Sequence, residues 1–321
     1  MPLDVLLLNP PLSTVVLGTR KGQLLPPLGL GYLAAVLEEA GYSVSILDMQ
    51  AEGMHGEGLA HLVRERRPRV VGIGTMVNTY NNGLRAAKLV KEVSPATKVV
   101  VGGPQATFLI EETLACPAVD VLVRYEGEET MVELMKYFDG ERTALDTIRG
   151  IAFRDGERIC QTEPRSLIAN LDCLPVPARH LLKMDRYGLS TVFTARGCPS
   201  RCVFCAANAL YPHPKYRARS PQRVVDEIED MVNRYHLDSF FIADDTFTLY
   251  PARAMEICNL ITERKIRAKW MCEARIDTMT PELAHRLVEA GCIEVQYGIE
   301  TGDPEIMKLI RKGIQIEQVE E

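Results

Sequence analysis

The feature that most constrains this chain is an alternation. A short, almost wholly apolar run ends in a turn, a helical stripe follows, and the unit recurs. Residues 5–10 read VLLLNP, 43–48 SVSILD, 70–75 VVGIGT and 98–104 KVVVGGP. Continuous apolar runs of this length suit parallel strands covered on both faces, because a strand with one wet side would alternate. A fifth run, VDVLVRYEGEE, leads into a loop. Between the runs, LGLGYLAAVLEEAG sets Leu30, Leu33, Ala34 and Leu37 on one helical stripe, with Gly41 as a C-terminal stop. Further helices are predicted over 59–66, 84–93 and 130–138. The pattern predicts a doubly wound α/β domain, whose ligand crevice lies beyond the carboxyl ends of the strands.

Residues 140–190 break the pattern. GIAFRDGERICQT carries strand-like runs around Asp155-Gly156, a hairpin signal, and NLDCLPVPARHLL is proline-containing and aperiodic. A second alternation begins near Ser190 with STVFTA. Ser220-Pro221 starts a helix as N-cap and first residue, with Val224, Val225, Ile228, Met231 and Val232 on its buried face. SFFIADD, AKWMCEARI and IEVQYGIE read as strands, with helices over 252–264, from Thr280-Pro281 to Gly291, and over 303–311. No repeat of the solenoid kind is present.

A length of 321 residues allows about two domains on the usual prior. With 46% hydrophobic and 25% charged residues the composition is that of an ordinary soluble globular protein. A net charge of −6 gives no whole-molecule basic field, so nucleic acid is not an expected partner, and RERRPR (64–69) reads as a solvated face. No run approaches the ~20 apolar residues of a membrane span, and the N-terminal apolar run is too short, with no basic region, for a secretory signal. Nine cysteines, three of them within eight residues, point to metal or redox chemistry in a reducing, cytoplasmic compartment.

Those three stand in TARGCPSRCVFCAAN, where Cys198, Cys202 and Cys205 are spaced C-x3-C-x2-C. A closed structural zinc site wants four protein ligands. Cys258, Cys272 and Cys292 are isolated and read as small buried hydrophobes. Iron–sulfur clusters also usually take four cysteines, so three leave one iron open to an outside ligand. This motif, in a loop after the first strand of an α/β domain, resembles the signature of the radical S-adenosylmethionine (SAM) enzymes. The residue before the last cysteine is aromatic there, as Phe204 is here. The resemblance covers about 190–313. It implies a [4Fe-4S] cluster whose open iron is chelated by SAM, reductive cleavage to methionine and a 5′-deoxyadenosyl radical, and hydrogen abstraction from an unactivated carbon.

SAM has other ends to hold. By resemblance, Asp244 and Asp245 in ADDTF lie where the family approaches the SAM amino group, although its common form there is Gly-Gly-Glu. Arg275, in CEARID, can pair the methionine carboxylate with fork geometry. Glu300, in YGIETGD, can accept from the ribose or the amino group, and Glu273 alternates with Arg275 on the same face. The plainer alternative for these side chains is helix caps and surface ion pairs.

In the first domain NPPL follows strand one, GIGTM ends strand three and GGP ends strand four. The glycines let a bulky ligand approach the backbone, but no G-x-G-x-x-G follows strand one. This layout, over 3–139, resembles the cobalamin-binding domain that precedes many radical-SAM domains. It implies cobalamin contacts at Asn9, Pro10, Thr75, Met76, Gly102 and Gly103. Where one type of that domain has a D-x-H-x-x-G loop, this chain has NPPLS, so a corrin would sit without a protein histidine on cobalt.

The expected architecture is α/β: an N-terminal doubly wound (Rossmann-like) parallel-sheet domain at 1–140, a connector with a β-hairpin at 141–189, and an incomplete (β/α)6 radical-SAM partial barrel at 190–321. The expected function is that of a cobalamin-dependent radical SAM enzyme methylating an unactivated carbon of a small-molecule or lipid-like substrate, with an electron donor such as flavodoxin or ferredoxin. Cyclisation, rearrangement or sulfur insertion is an alternative outcome, and a cobalamin-binding module with an inactive cluster domain is another. Methylthiotransferases of tRNA fit poorly, because their first domain carries its own three-cysteine site and this one has only Cys116. The family core usually has six βα units and four are countable here, so the chain is expected to be a fragment with an exposed sheet edge.

Overall fold

The computed structural model describes residues 3–13, 24–141, 144–211 and 215–320. The chain divides into two compact units, Met1–Leu167 with Leu174–Gly188, and Ile168–Cys173 with Leu189–Glu321.

The first unit is built on one sheet. Strands β1 (Val5–Asn9), β2 (Val44–Asp48), β3 (Val70–Gly74), β4 (Lys98–Gly102) and β5 (Val121–Val123) run parallel, and β6 (Ile151–Asp155) and β7 (Arg158–Gln161) add antiparallel at one edge, in the order β2-β1-β3-β4-β5-β6-β7. Helices α1 (Leu28–Glu39), α2 (Met49–Glu52), α3 (Gly56–Arg66), α4 (Tyr80–Val93), α5 (Pro104–Phe108), α6 (Ile110–Leu114) and α7 (Glu128–Phe138) connect them. The unbroken apolar strands are explained by their burial: Val5, Leu6, Leu8, Val70, Val71, Val99 and Val101 have no exposed surface. The strand order reverses at β1, between β2 and β3, which makes the carboxyl ends of β1 and β3 the crevice of a doubly wound sheet.

The pair α5 and α6 was not legible in the sequence. Each is five residues long, too short to show a period. The hairpin falls where Asp155-Gly156 predicts it, and it extends the sheet of the first unit. Arg154 fixes it there by donating to the carbonyls of Leu114, Cys116 (3.1 Å), Pro117 (3.2 Å) and Val119 (2.8 Å), around the end of α6. Residues 174–188 also pack on this unit: the Tyr187 hydroxyl donates to Asp48 Oδ2 at 3.0 Å, while Asp48 Oδ1 caps α2. In the basic stretch Arg64, Arg66 and Arg67 face solvent and Arg69 pairs with Asp4 and Asp139.

The second unit holds β8 (Ser190–Val192), β9 (Ala195–Arg196), β10 (Arg217–Ala218), β11 (Ser239–Ile242), β12 (Lys269–Ala274) and β13 (Cys292–Tyr297), with α8 (Ala207–Leu210), α9 (Pro221–Tyr235), α10 (Pro251–Glu263), α11 (Pro281–Glu289), α12 (Pro304–Leu309) and α13 (Glu317–Glu320). β8, β11, β12 and β13 form a parallel sheet in chain order, the course of consecutive βα units. The run 190–195, expected as one strand, ends at Val192, because the chain turns away to pair β9 antiparallel with β10. Trp270 centres the core. Its ring stacks on Phe240 at 6.1 Å, meets Phe247 edge-on at 5.8 Å, and its Nε1 donates to the Ala290 carbonyl at 2.8 Å. Cys258, Cys272 and Cys292 lie in this core, as expected of small hydrophobes. No helix among the described residues is long and apolar enough to cross a membrane.

Candidate active site

The cysteine loop is delivered by a buried polar knot. Asp244, at the end of β11 and 2% exposed, accepts the Thr194 amide at 2.6 Å, the Ala195 amide at 3.0 Å and the Thr194 hydroxyl. Burial pushes this carboxyl above its usual range, and those donors pull the other way. Arg253, from α10, donates to the Thr194 carbonyl at 2.7 Å and hydroxyl at 3.1 Å. Next comes Gly197, with φ +86°. A Cβ there would stand 2.1 Å from the Lys215 carbonyl oxygen, so only glycine fits between β9 and the returning chain.

Cys198, Cys202 and Cys205 then line one cleft of about 380 Å³ at the carboxyl end of the parallel sheet. Cys202 is buried, Cys198 half-buried and Cys205 exposed, and all are free thiols. Cys198 Sγ is 3.9 Å from the Thr246 hydroxyl, and Cys205 Sγ accepts the Ala207 amide at 3.5 Å. Among the described residues no three His, Cys, Asp or Glu side chains converge on a single metal ion. That donor set fits a cubane cluster, in which each thiolate would take its own iron and one corner stays open, better than a mononuclear ion.

The cleft also carries charge. Asp245, Glu273, Arg275, Glu300 and Lys312 line the same cleft, with Phe204 on the loop side. Burial raises the Asp245 carboxyl above its usual range, with the Gly197 amide partly offsetting it. Burial and the neighbouring Asp245 charge raise Glu273 likewise. Arg275 is already engaged: Nε and Nη2 fork onto Asp277 at 2.9 and 2.7 Å, and Nη2 also reaches the Lys312 carbonyl at 2.9 Å. Burial opposes its charge, but Asp277 and, when ionised, the Cys202 and Cys198 sulfurs outweigh it and hold the guanidinium more firmly protonated. Glu300, in a left-handed backbone at φ +73°, accepts from Lys312 Nζ at 3.0 Å.

The cleft thus gathers the three cysteines, Phe204, Asp245, Arg275, Glu300 and Glu273. It does not gather Asp244, whose carboxylate is spent inside the knot. The carboxylate fork expected of Arg275 is taken by Asp277, which leaves Nη1 without a hydrogen bond among the described residues. Lys312 was missed by sequence reasoning, because a lysine ahead of a glycine at a helix end reads as ordinary capping.

The first unit has its own candidate site, at the ends of β1, β3 and β4. Thr75 is 1% exposed, and its amide and hydroxyl both donate to the Gly102 carbonyl, at 2.9 and 2.8 Å. Gly103, at φ +95°, packs so close that a Cβ would lie 2.5 Å from the Thr75 oxygen. Thr75, Gly102 and Gly103 therefore form a closed knot, and Thr75 is not open to a ligand. The loop after β1 is pinned by Asn82 Nδ2 on the Pro11 carbonyl (2.9 Å) and by the Leu12 amide on Gln50 Oε1 (3.1 Å). Asn9 is half-buried and Pro10 buried. The loop beyond β3 exposes Met76 (53%) and Val77 (77%), and the last residue of α5, the helix after β4, is Phe108 (44% exposed). Apolar side chains offered to water at a sheet's ligand-binding end fit a broad, flat, largely apolar macrocycle such as a corrin.

Residues 14–135 match the family model of the B12 binding domain, and residues 192–321 that of the radical SAM superfamily. The chain is 34% identical to an uncharacterized methyltransferase of Pyrococcus horikoshii, over 98% of its own length and 69% of the relative's. It is 30% identical to the anaerobic magnesium-protoporphyrin IX monomethyl ester cyclase of Cereibacter sphaeroides, over 86% of this chain and 47% of that one. The fold superposes with a TM-score of 0.85 on the cobalamin-dependent SAM radical enzyme OxsB, solved with aqua-cobalamin and SAM, at 22% identity, covering 99% of this chain and 46% of that one. The chain thus spans about half the length of OxsB and of that cyclase.

Proposed function

The chain belongs to the radical SAM superfamily and carries a B12 binding domain, and from that premise we propose that it is a cobalamin-dependent radical SAM enzyme that methylates an unactivated carbon. The observation that carries this reading is the single cleft that brings three free thiols together with Phe204, Asp245, Glu273, Arg275 and Glu300. When bound, a [4Fe-4S] cluster and cobalamin supply an electron for SAM cleavage and a methyl carrier, respectively. Cys198, Cys202 and Cys205 hold the cluster. Asp245 and Glu273 offer carboxylates to the N–H bonds of the SAM amino group, Arg275 offers Nη1 to its carboxylate, and Glu300 offers a carboxylate to the ribose. Met76, Val77 and Phe108, with the half-buried Asn9, form the surface for the corrin, backed by the Thr75–Gly102–Gly103 knot. The substrate is a small or lipid-like molecule. A low-potential one-electron donor such as flavodoxin or ferredoxin serves the cluster, which accords with a reducing cytoplasm.

Anaerobic reconstitution with iron and sulfide tests the reading. SAM and dithionite are expected to yield 5′-deoxyadenosine, and added cobalamin to remain with the protein through gel filtration. A chain that loads iron but forms no 5′-deoxyadenosine overturns the proposed activity.

A further inference from the structure

Around Phe204 the cleft contains an ion pair that cluster ligation does not require. Lys312 Nζ lies 5.7 Å from the centre of the Phe204 ring and 3.0 Å from Glu300 Oε1. Phe204 sits between Cys202 and Cys205, so this ammonium stands beside the loop that carries the thiols. Its side chain is 10% exposed while that of Glu300 is 40% exposed. The charge is therefore poorly screened by water and acts at close range. The position is enforced from several directions. The Lys312 carbonyl accepts from Arg275 at 2.9 Å, and the Ile310 carbonyl accepts the Val203 amide at 3.1 Å. Glu300 is held at φ +73°, a conformation a non-glycine residue keeps only when its surroundings impose it.

We propose that Lys312 and Glu300 are an opposed pair that sets the reduction potential of the cluster held by Cys198, Cys202 and Cys205; this rests on the reading of the cleft given above. Reduction takes one electron from a low-potential donor, which is itself oxidised by one electron, and breaks no bond. It adds one negative charge beside the cysteine loop. The Lys312 ammonium favours that added charge and the Glu300 carboxylate disfavours it, so the two act in opposite senses from one place.

The test is a redox titration of the reconstituted chain without SAM, followed by the electron paramagnetic resonance of the reduced cluster, with iron content and thermal unfolding measured alongside. Lys312→Met is expected to shift the midpoint potential down. Lys312→Arg is expected to restore it, and Glu300→Gln to shift it up. Opposite shifts support the proposal, because a merely structural role would lower iron content and stability in both variants without opposite signs. Should Lys312→Met fail to load, the sign of Glu300→Gln decides alone: a downward or absent shift overturns the proposal. Loaded variants whose potentials move together, or not at all, overturn it while leaving the proposed function standing. An unaltered chain that takes up no iron and sulfide overturns both.

Discussion

The Asp244 carboxylate accepts the Thr194 amide at 2.6 Å, and through that bond the sheet grips the strand that leads into the cysteine loop. Asp244→Ala strands the Thr194 and Ala195 amides and removes the charge facing Arg253. Each buried donor left unpaired costs about 1–3 kcal/mol. The expected result is a lower unfolding temperature together with lower iron uptake. Asp244→Asn, which keeps one acceptor oxygen, is expected to retain more of both. Normal stability and iron with weakened SAM binding would instead make Asp244 a ligand of SAM, against its burial.

The six cysteines of the second unit from Cys198 onward divide by environment. Cys198→Ala, Cys202→Ala and Cys205→Ala are each expected to lose the cluster absorbance and iron while the chain stays folded. Cys258→Ala and Cys272→Ala remove a buried sulfur far from solvent and are expected to keep the iron, at a stability cost of about 1 kcal/mol. Iron analysis and thermal unfolding on the same samples check both. Loss of iron in Cys272→Ala without loss of stability would mean that the isolated cysteines had been misread.

Much of the fold is written in local pattern. The runs VLLLN and KVVVG are strands because covered strands need no polar face, and the Ser220-Pro221 start of α9 is a local cap, with the Ser220 hydroxyl accepting from the Arg223 amide. What stayed hidden depends on contacts distant in sequence. Asp244 and Asp245 are neighbours with opposite fates, one turned into the knot and one into the cleft, and strand parity alone does not say which. Arg275 looked free for a ligand because Asp277 reads as a loop residue. Lys312 enters the site only because the chain after α12 folds back over Cys202–Cys205. Thr75 looked like a contact residue, but its hydroxyl is consumed by the Gly102 carbonyl, a partner 27 residues away.

On the proposed function, the cleft carboxylates are expected to give SAM binding a pH dependence. Asp245 and Glu273 both keep exposed surface, yet desolvation within the cleft, joined at Glu273 by the Asp245 charge, raises each above the usual carboxylate range, so each releases its proton later than a free side chain. They accept from the N–H bonds of the SAM amino group only when ionised. Affinity should therefore rise with pH through that raised range and level off above it, with protons released on binding. Asp245→Asn and Glu273→Gln are expected to flatten the rise. Calorimetry of SAM binding to the cluster-loaded chain in buffers of different ionisation heat measures both affinity and proton release. An affinity that does not change with pH on the acid side would remove these carboxylates from the SAM contacts.

On the proposed function, substitutions in the first unit are expected to separate scaffold from corrin surface. A Cβ at Gly103 would lie 2.5 Å from the Thr75 oxygen and 2.8 Å from its nitrogen, at a backbone φ of +95°. Gly103→Ala is therefore expected to cost more than about 1 kcal/mol and to lower cobalamin retention by loosening the knot. Val77 is 77% exposed and holds nothing in place. Val77→Asp should leave unfolding unchanged within about 0.5 kcal/mol, yet put a charge where an apolar ring face would lie. Cobalamin absorbance after gel filtration should fall for Val77→Asp at unchanged thermal stability. Retention equal to the unaltered chain would mean that the exposed lip beyond β3 does not face the corrin.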